Sequence, residues 1–510
     1  MRLFLTSMAV VCCLAAVAQQ RRSLVDSLHY RVEMQATLSN GDHTPLWLNA
    51  NRYGLSSLKT ANGYLRGAVS RPLQYDSLRR WGIGYALDVV VPTGFTSHFV
   101  VQQAYAEVRW LKGVLTVGSK EWPMELKNQQ LSSGSQTLGI NARPIPQLRL
   151  ALPDYWTLPF SRGWLALKGH LAYGMQTDTR WQRDFTHGES KYVEHALYHS
   201  KAGYLRIGPK NITLELGLEM ACQFGGTTYE TFNGNVIKIE NESNFSSFFH
   251  AFIPGGGEKV EDKYRNTEGN NLGSWLARLN FDYPQWSLGL YADHFFEDHS
   301  AMFLLDYDGY GSGANWNSKR SHRYLLYDLK DMLWGLELNF KRFKWIDHVV
   351  LEYIYTKYQS GSVYHDHTRS ISDHIGGMDD YYNHYVMTGW QHWGQVMGNP
   401  LYRSPLYNTD GEIAVQNNRF EAVHFGLSGR PTTALSYRML ATWQSSLGRY
   451  KWPFHQKEEH GSLLLEATYR FSGKLTGWII RGGFGADFGR VLGNNRGCQI
   501  TITKIGLCGI

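Results

Sequence analysis

Beyond its first residues the chain lacks any apolar run long enough to cross a membrane as a helix, which takes about 20 predominantly apolar residues. Mean hydropathy is −0.37. Cysteine is scarce: five are present, and Cys12 and Cys13 fall in the run "LFLTSMAVVCCLAAVA" that follows Arg2. That run ends in Ala16-Val17-Ala18, a small-x-small cleavage site, so residues 1–18 read as a secretory signal peptide, too short and wrongly flanked for a stable span. A bulky valine before Cys12 argues against lipid attachment there. Cys222, Cys498 and Cys508 remain, too few for a disulfide framework in so long an exported chain. A single Cys498–Cys508 bridge and free thiols both stay open. Charge of one sign is also lacking. Setting aside Arg2, the 51 Lys and Arg fall to 50 against 44 Asp and Glu, mixed instead of blocked, which specifies no nucleic-acid partner. Catalytic signatures are missing too, with no G-x-S-x-G, H-E-x-x-H, Walker or Rossmann pattern. No enzyme activity and no cofactor are expected.

What the chain has is alternation. In "ITLELGLEM" (212–220) Ile212, Leu214, Leu216, Leu218 and Met220 alternate with Thr213, Glu215, Gly217 and Glu219. Successive strand side chains point to opposite faces, so one face is oily and the other carries carboxylates. The pattern returns in "YAEVRW" (105–110), "WLARLNFDY" (275–283), "LWGLELNFK" (333–341) and "LLEATYRF" (464–471). These are period-2 strands. Tight joins fall at Leu111-Lys112-Gly113, Gly208-Pro209-Lys210, Tyr283-Pro284-Gln285, Phe343-Lys344-Trp345, Gly429-Arg430-Pro431 and Ser472-Gly473-Lys474, with somewhat longer ones over 71–81 and 153–162. Long connections alternate with them, at 121–145, 174–198, 224–273, 296–332, 359–418 and 446–460. Eight hairpins, one strand near 28–38 and one near 498–507 total about eighteen. Short joins on one side and long on the other are the asymmetry of an outer-membrane barrel. The expected architecture is therefore all-β: a closed antiparallel transmembrane β-barrel over 19–510. A soluble β-sandwich or propeller is the rival fold, and it predicts no such asymmetry. Trp110, Tyr283, Phe343, Trp345 and Phe471 lie beside short turns, where an interfacial aromatic girdle belongs.

In that barrel the oily faces meet lipid. Glu107, Arg109, Glu215, Glu219, Arg278, Asp282, Glu337, Lys341, Glu352, Glu466 and Arg470 face the lumen, either lining a pore or pairing inside a plugged one. The longest loop, about 359–418, holds Tyr381, Tyr382, Tyr385, Trp390 and Trp393 among Asp379, Asp380, Asn383 and His384. Rings beside dense hydrogen-bonding groups suit sugars, whose CH faces pack on aromatics. The other reading is that these rings form a local core. "VYHDHTRSISDH" (363–374) clusters His365, Asp366, His367, Asp373 and His374, but the spacing matches no metal pattern, and no metal is expected.

Four stretches carry a family resemblance: "TPLWLNANRYGL" (44–55), "LSSGSQTLGINARPIPQ" (131–147), "DDYYNHYVMTGWQHWGQVMGNPL" (379–401) and "CQITITKIGL" (498–507). They resemble the capsule assembly Wzi family, in the version carried by Bacteroides-like bacteria. The resemblance implies an eighteen-stranded outer-membrane barrel with its lumen occluded by loops and short helices. It implies a non-enzymatic, lectin-like role in holding capsular or extracellular polysaccharide at the surface of a Gram-negative cell. Outer-membrane lipid and the polysaccharide export machinery are the other expected partners. A porin or polysaccharide channel is the first alternative, and an outer-membrane hydrolase the second.

Overall fold

A computed structural model describes residues 27–508, apart from 78, 233, 254–258, 261–262, 265–268, 298–312, 319–330 and 366–373. The expected signal peptide, and Asp366, His367 and Asp373 of the histidine cluster, lie outside the described residues.

Eighteen antiparallel strands form one sheet. It closes where the first strand, His29–Asn40, pairs with the last, Asn495–Leu507, in register from His29↔Leu507 to Asn40↔Arg496. Closure leaves no edge, so every strand finds partners on both sides, as a bilayer without water requires. The alternation behaves as its period dictates. On Ile212–Phe224, Ile212, Leu214 and Leu216 are 42%, 37% and 41% exposed on the outer wall, while Glu219 is fully buried inside. The girdle aromatics Trp110, Tyr283, Phe343 and Trp345 are exposed beside the short turns, and Trp81 joins them, its ring 6.0 Å from that of Trp110.

All eight short joins occur. One is displaced. The strand Gln147–Thr157 runs through the join expected at 153–162 and turns only at 158–164. Pro153 sits where pairing shifts between Leu152 and Trp156, and an irregularity of this kind tolerates a residue that cannot donate. The long loop expected at 446–460 is also corrected. Leu435–Gly448 and Pro453–Arg470 continue as a ladder, with Ser446 opposite Glu458, and only 449–452 join them. The polar run there is strand exposed beyond the oily band.

Among the described residues Cys222, Cys498 and Cys508 form no disulfide. A Cys498–Cys508 bridge is excluded by geometry. The two stand ten residues apart along one strand and its end, roughly 33 Å at strand rise, whereas a disulfide needs Cα atoms within about 7 Å.

A barrel this wide leaves more lumen than wall side chains can fill. Loops 41–60 and 120–146 and residues 379–419 fold inward and supply a core: Trp47, Leu48, Leu131, Tyr381, Tyr382, Trp390 and Tyr402 pack with Phe295, Leu333, Val350 and Phe420 of the wall. The short helix Leu46–Asn49 sits under the wall near Gly485, its first N–H donating to the Asp487 carboxylate at 3.0 Å. A second helix, Phe245–Phe252, covers the outer wall instead. Its Phe248 and Ala251 meet Cys222 and Phe224, which share the lipid-side parity of Ile212. Phe245 and Phe249 on it stay exposed.

Candidate functional site: a filled lumen beneath an aromatic rim

The inward carboxylates hold the plug. Glu352 accepts from Tyr291 Oη at 2.7 Å, Ser132 Oγ at 2.6 Å and the Ser133 N–H at 2.7 Å. Asp293 accepts from Lys127 Nζ at 2.6 Å and the Gln136 N–H at 3.1 Å. Glu219 accepts from Tyr204 Oη at 2.6 Å, with the Leu138 N–H at 3.4 Å. Glu337 takes Asn128 Nδ2 and Arg278 Nη2, both at 2.8 Å. A buried loop must satisfy its backbone, and wall carboxylates do that for 120–146. Four of the residues so engaged, Glu219, Arg278, Glu337 and Glu352, are structural, as a plugged interior predicts. Glu107 is buried against Lys120 at 2.5 Å. Arg109 reaches the backbone of Asp76 and Arg79 near a short-turn segment. Glu215 lies near Asn280 Nδ2 at 3.4 Å. Asp282 and Lys341 pair with each other at the short-turn end. Glu466 and Arg470 face a cavity described below.

The loop 356–419 divides in two. Tyr381, Tyr382 and Trp390 are at most 1% exposed. Tyr381 Oη donates to Asp331 at 3.0 Å. Trp390 Nε1 donates to Thr137 O at 3.0 Å. Tyr382 donates through its hydroxyl to Gln136 O, accepts there from the Asn399 N–H at 3.1 Å, and stacks at 4.1 Å on Tyr402. Gly398 is required at that spot, since a Cβ would collide with the Tyr382 hydroxyl. As direct sugar contacts these three are corrected: they have no face open to a ligand, because their rings are the core that joins 379–401 to 131–141. Asn383 is likewise turned inward, exchanging bonds with the Val415 N–H at 2.8 Å and O at 3.0 Å.

The exposed half is different. Tyr385 is 65% exposed. His384 is half-buried, and its Nδ1 accepts from the N–H groups of Val386 and Met387, each at 3.1 Å. Burial, with Lys191 adding to it, pushes His384 down to about 3. Lys191 donates to the carbonyls of His384 and Tyr385 at 2.6 and 3.2 Å, and burial pushes it down to about 8. Asp379 is half-buried, its N–H donating to Gln359 O at 3.0 Å. Asp380 receives Arg449 in a forked pair, one arm at 3.0 Å. The Arg449 guanidinium lies 4.3 Å from the Trp452 ring, Arg419 3.5 Å from Tyr450, and Arg143 4.4 Å from Trp393. Trp452 is 61% exposed. The rim therefore repeats one unit, a guanidinium on an aromatic face. Sequence reasoning missed Arg419, Tyr450 and Trp452. The signal was "GRYKWP" (448–453), basic and aromatic residues interleaved at a hairpin tip. Among the described residues no group of three His, Cys, Asp or Glu is placed to hold a metal.

Comparison with known proteins bears on this arrangement. No curated protein matches by sequence. Among solved structures, Wzi of Escherichia coli, an outer-membrane protein involved in group 1 capsule assembly and a carbohydrate-binding β-barrel, is 12% identical. The match covers 92% of this chain and 83% of that one, at a TM-score of 0.56, and shows a shared fold. OpdO of Pseudomonas aeruginosa is 11% identical over 95% and 97% of the two chains, at a TM-score of 0.46. OprD of the same organism is 9% identical over 95% and 96%, at 0.45. Those two values are too low to carry an argument. The profile of the capsule assembly protein Wzi matches residues 20–319, more than half of the chain. This chain belongs to the Wzi capsule assembly family.

Proposed function

We propose that the protein is an outer-membrane, lectin-like anchor that holds capsular or extracellular polysaccharide at the cell surface and helps to assemble it. The observation that carries this reading is the pairing of a filled lumen with a ligand-accessible rim. Loop 120–146 and residues 379–419 occupy the space a conduit would need, while Tyr385 and Trp452 are exposed and Trp393 and Tyr450 are half-buried, each under a guanidinium. Ring faces pack against sugar CH groups, and stacked guanidiniums meet carboxylates or hydroxyls. Each contact is modest, and a repeating polymer adds them by multivalency. Asp379, Asp380, Asn383 and His384 shape the backbone behind Tyr385, and Tyr381, Tyr382 and Trp390 hold that loop in the barrel. Export through a signal peptide over 1–18 delivers the chain. Outer-membrane lipid contacts the oily wall and the exposed Phe245 and Phe249. Docking to the export machinery would use the short-turn end. The family's role and the lack of a catalytic signature favour binding over turnover.

The test is a deletion strain complemented with wild type or with Trp393→Ala plus Trp452→Ala. The double variant should reach the outer membrane at normal levels, with polysaccharide moving from the cell-bound to the shed fraction. Unchanged retention at equal protein levels would remove this rim from the reading.

A further inference from the structure

Below the plug the lumen widens into a cavity of ≈ 910 Å³. Asp347, His348, Arg430 and Thr433 line its mouth, so it opens at the short-turn end, toward the periplasm. Gln129, Gln130, Asn51 and Tyr53 of the inward loops form its roof. Seven of its lining residues are arginines and four are carboxylates. Some of that charge is matched: Arg66 pairs with Asp88 at 2.5 Å and Arg430 with Asp347 at 2.9 Å. One wall is not matched. There the single carboxylate of Glu466 faces Arg438 at 2.8 Å, Arg52 at 3.4 Å and Arg481 at 3.8 Å. Arg470 is exposed on the same strand and the same face. Four guanidiniums against one carboxylate leave an excess of three positive charges on this wall, in a recess with low-dielectric sides that concentrate the field.

The rest of that wall is polar. Ser436 and Thr468 are cross-strand partners, and Thr468 in turn faces Arg481. Tyr53 and Tyr64 add rings. Forked guanidiniums recognise carboxylates and phosphates, whereas hydroxyls, amides and rings suit a sugar backbone. We infer that this cavity is a periplasm-facing site for an acidic oligosaccharide, its carboxylates received by Arg470, Arg481 and Arg438. The choice of a glycan rests on the polysaccharide reading above. The anion preference rests on the arginines alone. The site is separate from the outer rim, because the plug lies between them.

The experiment measures binding of hexagalacturonic acid to the purified full-length protein in detergent, with maltohexaose and inorganic phosphate as the other arms. The acidic hexamer should bind with an affinity that falls as salt rises. Arg470→Glu plus Arg481→Glu should weaken it at least tenfold, and Arg470→Gln plus Arg481→Gln less. The loss caused by Arg470→Glu plus Arg481→Glu should persist in a Trp393→Ala plus Trp452→Ala background, which separates the cavity from the rim. Heat-modifiable electrophoretic mobility confirms that each variant is a folded barrel. The inference is overturned by equal binding of maltohexaose, by no binding of the hexamer, by indifference to charge reversal, or by phosphate alone binding as tightly. Polysaccharide retention by cells is scored separately. Normal retention with an inert cavity sinks this site and leaves the anchor standing, whereas lost retention in the rim variant with an active cavity does not touch it.

Discussion

At the scale of single residues, His384 shows what position does to a side chain. Its Nδ1 accepts two backbone N–H bonds, which only the neutral ring can do. Burial pushes its titration down from 6.5 to about 3. A histidine depressed in this way contributes its full stabilisation above the unfolded value of 6.5, and that contribution is lost as pH falls toward 3. The segment around the exposed Tyr385 should accordingly become protease-sensitive on acidification across that window while the barrel stays intact. His384→Asn, which carries no titrating group, should flatten the profile; an unchanged profile would show that another group is responsible. At this scale the sequence was partly legible. That rings and polar groups crowd 379–408 could be read directly. Which of them face outward could not, since Tyr382 at 0% and Tyr385 at 65% exposure differ by three positions in a loop without periodicity.

At the scale of elements, the loops behave as a second core. Tyr382, between Phe295 at 5.4 Å and Tyr402 at 4.1 Å, joins loop 356–419 to loop 120–146 through Gln136. Truncating a buried aromatic costs about 3–5 kcal/mol. Tyr382→Ala should loosen both loops together, read as faster amide exchange in 131–141 and 379–401. Retained protection in 131–141 would mean that the wall carboxylates suffice. Strands were the legible elements, because period-2 alternation survives wherever one face meets lipid and the other the lumen. The hairpin 446–460 escaped notice for the matching reason. Beyond the bilayer a strand needs no oily face, "QKEE" (456–459) carries none, and hydrogen bonding to its neighbours is all that marks it as strand.

At the scale of the whole molecule, eighteen strands are wide enough for a channel, and the inward loops decide otherwise. The intact protein should give no steady open-channel current in planar bilayers. Replacing 127–139 with a short Gly-Ser linker should open one, because Glu219, Asp293 and Glu352 would lose their loop partners and become hydrated. Sustained currents from the intact protein would restore the conduit reading. The same loss should leave the outer wall unchanged, since Ile212, Leu214 and Leu216 owe their positions to pairing and lipid.

The barrel is legible in the residue pattern alone. A two-residue period, eight tight joins and long connections between them admit few closed arrangements, because unpaired backbone has no place in a bilayer. What fills the barrel and what lies open depends on long-range packing. Plug and rim are built from contacts between residues hundreds of positions apart, such as Trp390 with Thr137 or Glu352 with Ser132. No local pattern encodes such pairings, because an irregular loop is placed by the partners that satisfy its polar groups and not by a repeat of its own.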